Sequence, residues 1–166
     1  MTISGYKGSR ASGIFADNSE YDDMPNRSIK ISDHSSLNIT DCDWHGMTVN
    51  PVDVTVEKYS HIDITGCGNP NYGGGIGCYY GKLSVTDHSD VTTNQNIGSA
   101  WGIFVKELFV DGTSKLISCR NTGNGLDVGG KGTIEGGAEI SLDGNGKRGF
   151  QVYSCLLYTS PSPRDG

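Results

Sequence analysis

A single eleven-residue pattern recurs along the chain, and it constrains the fold more than any other feature. Ile29–Ile39 and Leu83–Thr93 are two copies, Val54–Ile64 and Leu108–Ser118 are two more, and Gly132–Leu142 is a less regular fifth. The small residue near the middle of each copy follows the previous one by 25, 29, 25 and 24 residues. Repeats of 20 to 50 residues indicate a solenoid, a propeller or an array.

Every copy carries an apolar residue, a small residue four positions later and a second apolar residue six positions later. This reads as two short strands around a tight turn, each with one buried face. The first apolar column is Ile31, Val56, Val85, Val110 and Ile134. The small residues are Ser35, Ser60, Ser89, Ser114 and Ala138. The second apolar column is Leu37, Ile62, Val91, Leu116 and Ile140.

A third element follows in every repeat, a glycine and then an apolar-x-apolar segment. Its glycines are Gly46, Gly75, Gly102, Gly125 and Gly149. Three short strands per repeat predict an all-β chain, a right-handed parallel β-helix built as a single-stranded solenoid of about five coils of 24–29 residues. A leucine-rich repeat has a similar length, but it needs a helical segment where this chain has Gly, Thr, Val and Asn, which are poor helix formers.

One polar position supports the stacking of these coils. Three residues after the second strand come Cys42, Cys67, Asn96, Asn121 and Asn145. Identical side chains stacked at strand spacing form ladders in which amides hydrogen-bond from one coil to the next. We therefore predict an Asn ladder through the last three coils.

The repeat also sets the predicted domain boundaries. Residues 1–27 are interpreted as a partial coil, whose third strand is Gly13–Ala16, followed by an inserted loop at Asp17–Arg27. Residues 28–154 form the β-helix. Its coils are predicted at Ser28–Pro51, Val52–Tyr80, Gly81–Val105, Lys106–Gly130 and Lys131–Ser154.

The last stretch, residues 155–166, does not follow the repeat. Cys155–Asp165 looks like the conceptual translation of a transposase-based sequencing adapter, so we interpret residues 155–166 as a non-native tail that adds no further coil. On this interpretation the β-helix is truncated at both ends. An uncapped final coil exposes a strand edge, which favours edge-to-edge self-association.

The composition argues against two classes of function, nucleic-acid binding and membrane spanning. The formal net charge of −6 argues against binding to nucleic-acid phosphates. No apolar run reaches the roughly 18 residues of a membrane span, so we predict none. Glycine accounts for 25 of the 166 residues, about twice its usual share, as sharp bends in every coil require.

The residues suited to metal binding are spread out. His34 and His88 share a turn position two coils apart, roughly 10 Å by strand spacing, which is too far to share a zinc ion. The turn carboxylates form no calcium-loop motif. They are Asp33, Glu57, Asp87, Asp111 and Glu135. We therefore predict no metal and no cofactor.

Four cysteines remain when Cys155 is set aside. Cys42 and Cys67 share a column at roughly the 4.8 Å strand spacing, within the Cα range of a disulfide, but their parallel side chains favour stacked thiols over a bridge.

Aromatic residues are the best candidates for a binding site. Trp44, Tyr72 and Trp101 precede the third-strand glycine in consecutive coils, and Tyr80 follows that strand. Stacked rings offer apolar faces to sugars. Three asparagines are expected to supply hydrogen bonds to hydroxyl groups, namely Asn69, Asn71 and Asn94.

The repeat resembles two groups of β-helical proteins. Ser28–Ser154 is similar to the β-helical repeat regions of bacterial cell-surface, adhesin-like proteins, in which phrases such as Leu-x-Val-x-Asp-x-Ser-x-Val recur with Gly-Ile strands between them. The fold also resembles the pectate lyases and polygalacturonases. Of the motifs expected of the hydrolases, a paired Asp is present, at Asp22-Asp23.

These resemblances lead to one expectation and two alternatives. The adhesin-like resemblance implies a non-catalytic, extracellular or cell-surface bacterial module that presents a face to a glycan or host surface. The alternatives are a structural spacer stalk and a fragment of a polysaccharide lyase or glycoside hydrolase.

Overall fold

The computed structural model describes residues 1–17, 27–153 and 156–160. Within these ranges the chain is all β, and parallel strands stack coil upon coil into a β-solenoid of about five turns. The predicted parallel β-helix is confirmed. No helix among the described residues is long and apolar enough to cross a membrane.

The strands follow the predicted order of three per coil. In chain order they are β1 (Thr2–Ser4), β2 (Ile14–Asp17), β3 (Arg27–Ile31), β4 (Ser36–Thr40), β5 (His45–Asn50), β6 (Val52–Val56), β7 (His61–Thr65), β8 (Gly74–Val85), β9 (Asp90–Asn94), β10 (Trp101–Val110), β11 (Lys115–Cys119), β12 (Asn124–Val128), β13 (Lys131–Glu135), β14 (Glu139–Ser141), β15 (Phe150–Val152) and β16 (Leu156–Ser160).

Two sheets run along the solenoid. The second strands of the coils form one sheet in the order β1-β4-β7-β9-β11-β14. The third and first strands belong to one larger sheet, because β8 and β10 each continue from the third strand of one coil into the first strand of the next. The prediction of three separate short strands is therefore wrong at these two corners. At Gly81 a Cβ would lie 2.0 Å from the Val52 carbonyl oxygen, so only glycine lets the backbone keep this close approach.

The predicted apolar columns form the core in the predicted register. Leu37 pairs with Ile62, and Ile62 pairs with Val91. In the other column Val56 pairs with Val85, and Val85 pairs with Val110. Side chains of the central coils are at most 2% exposed, whereas the end members Ile31, Ile134 and Ile140 are half-buried.

The turn between the first and second strands holds a serine ladder that the sequence did not reveal. The Ser35 N–H donates to the Ser60 Oγ at 3.1 Å, and the Ser60 N–H donates to the Ser89 Oγ at 3.1 Å. The Ser89 N–H continues the row to the Ser114 Oγ at 3.3 Å. Just before these serines the backbone is left-handed in three coils, as at His34 and His88, where φ is 59°. A serine in this column therefore satisfies a buried backbone donor of the preceding coil.

The predicted Asn ladder is confirmed. The Asn96 Nδ2 donates to the Asn121 Oδ1 at 2.9 Å, and the Asn121 Nδ2 donates to the Asn145 Oδ1 at 3.1 Å. The Cys67 N–H extends the row by donating to the Asn96 Oδ1. Cys42 and Cys67 are free and buried, as the preference for stacked thiols predicts. Burial raises the pKa of the Cys67 thiol to about 12.

Both ends of the repeat differ from the sequence-based boundaries. Thr2–Ser4 forms β1 and pairs with β4, so the partial first coil has a second strand as well as the expected third strand, β2. Of the predicted loop Asp17–Arg27, the end residues belong to β2 and β3, and residues 18–26 lie outside the described residues.

At the other end, Leu156–Ser160 forms β16 and pairs with β13 in parallel register. The predicted tail therefore contributes one strand to the sheet, and the prediction that residues 155–166 add no further coil stays a prediction. Five residues paired one to one with Lys131–Glu135 extend the sheet, whatever their origin. The adapter origin of the segment stays a prediction.

Candidate functional site

The outer side of the third-strand sheet carries the candidate site. In each Gly-apolar-x-apolar segment the apolar residues point into the core, so alternation turns the x residue outward. The glycine also faces the interior, since a Cβ at Gly46 would lie 2.3 Å from the Ile64 side chain, and the residue before it lies on the outer side. Parallel pairing places these outward residues in rows across the coils. One row comprises Thr48, Gly77, Phe104, Asp127 and Gln151.

Aromatic rings begin at one side of this sheet and continue without a break. The centroid of the Trp44 ring is 5.6 Å from that of Tyr72 and 5.4 Å from that of His45. His45 in turn stacks on Trp101 at 5.8 Å, with 13° between the ring planes. The Tyr79 ring meets Trp101 edge to face at 5.7 Å. Such offset and edge contacts are the favourable geometries for aromatic pairs.

The cluster then reaches the last coils. Phe104 lies 4.9 Å from Trp101 and 5.9 Å from Tyr153, measured between ring centroids. Seven rings in successive coils are thus linked ring to ring. We call this set the aromatic face: Trp44, His45, Tyr72, Tyr79, Trp101, Phe104 and Tyr153.

The aromatic face remains partly open to solvent. Tyr72 and Tyr153 are 59% and 57% exposed, and Trp44, Trp101 and Phe104 are half-buried. Rings lie against the sheet where the row has a glycine: a Cβ at Gly77 would lie 3.2 Å from the His45 ring. Because Gly77 has no side chain, the neighbouring rings pack flat against the strands instead of projecting into solvent.

His45 is the buried centre of the aromatic face. It is 1% exposed, and its Nε2 lies 3.2 Å from the Tyr79 hydroxyl oxygen, whereas its Nδ1 has no hydrogen-bond partner among the described residues. Burial lowers the pKa of His45 to about 4. The neutral ring therefore packs as an aromatic residue near neutral pH and offers no positive charge.

A polar cluster borders the aromatic face at the last two coils. The Asn124 Nδ2 donates to both carboxylate oxygens of Asp127, at 3.0 and 3.1 Å, and the Tyr153 hydroxyl donates to the Asp127 Oδ2 at 3.4 Å. The Arg148 Nη1 donates to the Gln151 Oε1 at 3.0 Å. We call this set the polar flank: Asn124, Asp127, Arg148 and Gln151.

Asp127 is fully buried although it points away from the core. Burial raises the pKa of its carboxyl group, and the hydrogen bonds from Asn124 and Tyr153 oppose this shift. Arg148 and Lys147 are near enough to favour the charged form as well. The carboxylate thus fixes the orientation of the Asn124 amide and anchors the Tyr153 ring beside Phe104.

The structure brings together three of the predicted aromatic residues and separates the fourth. Trp44 and Tyr72 are in direct contact, and Trp101 joins them through His45, so they form a bent cluster rather than the expected row of stacked rings. Tyr80 lies apart, 73% exposed, beside a groove lined by Asp53, Lys82 and Glu107. The separation arises at the corner of the coil, where the pairing of β8 with β10 shifts register between Cys78 and Lys82, so Tyr79 stays on the aromatic face and Tyr80 turns towards the groove.

The predicted asparagines have three different positions. Asn69 is used structurally, since its Oδ1 accepts the backbone N–H groups of Asn71 and Tyr72 and its Nδ2 donates to the Asp43 carbonyl. Asn71 is exposed next to Tyr72. Asn94 is the last residue of β9 and lines a cleft with Cys119 and Arg120. Because β9 belongs to the second-strand sheet and the rings lie on the third-strand sheet, Asn94 is not beside the aromatic face.

The histidines and acids away from this face form no metal centre. His34 and His88 are separated by the Tyr59 ring, which stacks between them at 5.1 and 4.9 Å. His61 leaves that column and pairs with Asp90 at 2.8 Å. Among the described residues, no three His, Cys, Asp or Glu side chains are grouped to hold a metal ion.

Sequence reasoning missed His45, Tyr153 and the polar flank, although a signal was present. His45, Trp101, Asn124 and Arg148 all immediately precede a third-strand glycine, and Asp127 is an x residue between two apolar positions. The sequence-based prediction used the apolar positions of each repeat, and the outward-facing residues between them were not compared from coil to coil.

In comparisons with known proteins, no protein-family model, curated protein or solved structure matches the chain.

Proposed function

We propose that this chain is a non-catalytic β-helical module that binds glycans through the aromatic face. The observation that carries the proposal is the continuity of that face, in which linked rings cross the coils while Tyr72 and Tyr153 stay exposed at its two ends. Sugar rings bind to proteins through apolar contact with aromatic side chains combined with a few well-placed polar groups.

The polar groups are supplied differently from the sequence-based expectation. Asn71 is exposed beside Tyr72 at one end of the aromatic face, and Arg148 and Gln151 lie at the other end. Asn69 contributes indirectly, because its hydrogen bonds to the Asn71 and Tyr72 backbone hold the loop that carries the Tyr72 ring. A bound oligosaccharide therefore meets hydrogen-bonding groups at both ends and rings between them.

A rigid scaffold supports this use. Coils stacked by the Asn and Ser ladders hold the rings in fixed register, so little side-chain freedom is lost when a ligand binds. Together with the sequence resemblance to adhesin-like repeats, this arrangement supports a location on the bacterial cell surface or outside the cell.

A glycan array and a matched set of variants test the proposal. Trp44→Ala and Tyr72→Ala each remove one ring from the aromatic face, and we expect either change to weaken binding roughly tenfold, the effect of about 1.4 kcal/mol. The control is Tyr80→Ala, which removes a more exposed ring that is not part of the face. Circular dichroism checks that all variants keep their β structure. Equal losses in all three variants, or no binding of any glycan, would reject the proposal.

Asp127 favours a second candidate, a polysaccharide lyase or hydrolase. Its carboxyl group has a raised pKa and lies beside an aromatic surface, as a general acid requires. Glycoside hydrolysis, however, uses two carboxyl groups at one point, and the polar flank contains a single one, already bound by Asn124 and Tyr153. Release of reducing or unsaturated sugars from a polysaccharide, abolished by Asp127→Asn, would favour the enzyme.

A further inference from the structure

Charge is distributed unevenly around the aromatic face. Three exposed cations surround its end at the fourth and fifth coils, namely Lys106, Lys147 and Arg148. None of them has a carboxylate partner within 4 Å among the described residues, where other lysines such as Lys30 and Lys115 are paired. The opposite end carries Asp17.

Contacts place Lys147 and Lys106 close to the rings. The Lys147 Nζ donates to the Ser99 carbonyl at 3.1 Å, two residues before Trp101. A Cβ at Gly129 would lie 3.5 Å from the Lys106 Cδ and 3.6 Å from the Phe104 Cζ, so the stem of Lys106 and the tip of the Phe104 ring meet over the same glycine. The strand pairing bulges at Lys106, and a bulge can redirect a side chain in this way.

Arg148 is the cation best suited to a specific contact. It lies beside Asn124, whose Oδ1 accepts the Arg148 backbone N–H at 3.0 Å, and Asn124 is the register partner of Trp101. The backbone of Arg148 therefore lies about two coils, roughly 10 Å, from that of Trp101. Its contact with Gln151 uses one of the five N–H donors of an arginine, and the side chain is exposed.

The acids at this end leave Lys147 and Arg148 uncompensated: Asp53 and Glu107 line a groove with Lys106, and Asp127 lies beside the other two cations. Asp127 is fully buried and its oxygens already accept hydrogen bonds, whereas the three cations are exposed to solvent. At the other end Asp17 is exposed and close enough to raise the pKa of the Tyr79 hydroxyl, after the larger effect of burial. The aromatic face thus has one cationic end and one anionic end.

From this polarity we infer that the preferred ligand is a glycan with an oxyanion substituent at one end, bound with that group against Arg148 and Lys147 and its uncharged sugars on the rings. The inference rests on the proposed glycan binding. Arginine recognises carboxylate, sulfate and phosphate groups through charge-assisted hydrogen bonds, which are shorter and stronger than neutral ones. A uniformly anionic polymer fits less well, because the charged sugars at its other end would be repelled by the Asp17 carboxylate.

The test uses sets of oligosaccharides that share one neutral core. Each core is presented unsubstituted, with a single sialic acid, with a single sulfate and with a single phosphate, and a polyuronate is included. We expect at least one of the singly charged forms to bind roughly tenfold more tightly than its neutral core at about 50 mM salt, and the advantage to shrink at about 300 mM, where charges are screened. Which oxyanion gains most identifies the source of the charge.

Matched variants locate the effect. The double variant Lys147→Ala/Arg148→Ala should weaken binding of the charged forms much more than binding of the neutral core, so that the ratio of the two affinities falls to about one. Its control, Lys115→Ala/Arg120→Ala, removes the same charge from the second-strand sheet and should keep the preference.

The outcomes separate this inference from the proposed function. Equal binding of neutral and charged forms, survival of the preference in Lys147→Ala/Arg148→Ala, or tightest binding by the polyuronate would each overturn the inference while leaving glycan binding intact. Failure of every core to bind would overturn both.

Discussion

Val110 shows how much one core position contributes to the stability of the fold. Its side chain is fully buried, between Val85 and Ile134 in the first apolar column. Val110→Asp would place a carboxylate there without a partner, and we expect the free energy of unfolding to fall by about 3 to 5 kcal/mol, a large share of the 5 to 15 kcal/mol typical of a domain. Urea unfolding followed by circular dichroism measures the loss.

Ser84→Asp is the matched control, since Ser84 is half-buried on the outer side of the same sheet. That variant should lose much less stability. A loss as large as that of Val110→Asp would mean that the outward and inward positions are wrongly assigned.

His45 predicts how stability depends on pH. Because burial lowers the folded-state pKa of His45 from 6.5 to about 4, the neutral ring favours the folded state. This contribution is complete above pH 6.5 and is lost as the pH falls towards 4, by about 3 kcal/mol in all. We expect His45→Phe, which keeps a ring but cannot titrate, to lose less stability than the wild type between pH 7 and pH 4 in urea unfolding.

The exposed histidines His34, His61 and His88 are unchanged in that variant, so their contributions cancel in the comparison. Identical pH dependence of His45→Phe and the wild type would contradict the buried, neutral assignment.

Among the structural elements, the Asn ladder offers the clearest test. Asn121 accepts from both the backbone N–H and the Nδ2 of Asn96, and its own Nδ2 donates to the Thr93 carbonyl. Asn121→Ala leaves these buried groups without partners, at about 1 to 3 kcal/mol each, so we expect a loss of roughly 2 to 4 kcal/mol in the free energy of unfolding. Thr122→Ala, with an exposed side chain, should be nearly neutral. Similar midpoints for the two variants would show that the ladder adds little.

The ladder was predictable from sequence, and parts of the strand pattern were not. Asn96, Asn121 and Asn145 occupy the same repeat position, so the period alone aligns them. The fusion of strands at Gly81 depends on a close approach to the Val52 carbonyl, a long-range contact that the repeat does not encode. The three-residue strand β1 is too short to show an alternation.

Across the whole molecule, burial predicts a gradient of stability. In a solenoid each coil is stabilised mainly by its neighbours. Side chains of β7, β9 and β11 that face the core are almost fully buried, whereas those of β14 and β15 are half-buried. We expect backbone amides of β7, β9 and β11 to exchange with solvent most slowly and those of β14 and β15 much faster, as measured by native-state hydrogen exchange. Uniform protection would indicate all-or-none opening instead.

The candidate site was only partly predictable at this scale. Trp44, Tyr72 and Trp101 were recognised because they precede the third-strand glycines, but their contact runs through His45, whose place immediately before Gly46 does not by itself reveal a buried ring. Asn94 was misplaced because nearness to Trp101 in sequence does not reveal that a corner of the coil separates the two sheets.

Glycan binding by the aromatic face is the central claim, and the two tryptophans of the chain test it directly. Trp44 and Trp101 are its only tryptophans, and both belong to the aromatic face. With isotope-labelled tryptophan, the indole N–H signals can be followed by nuclear magnetic resonance during titration with a glycan selected from the array. We expect both signals to shift in proportion to occupancy, and the titration to weaken in Tyr72→Ala. A glycan that binds while both indole signals stay unchanged would contradict the claim.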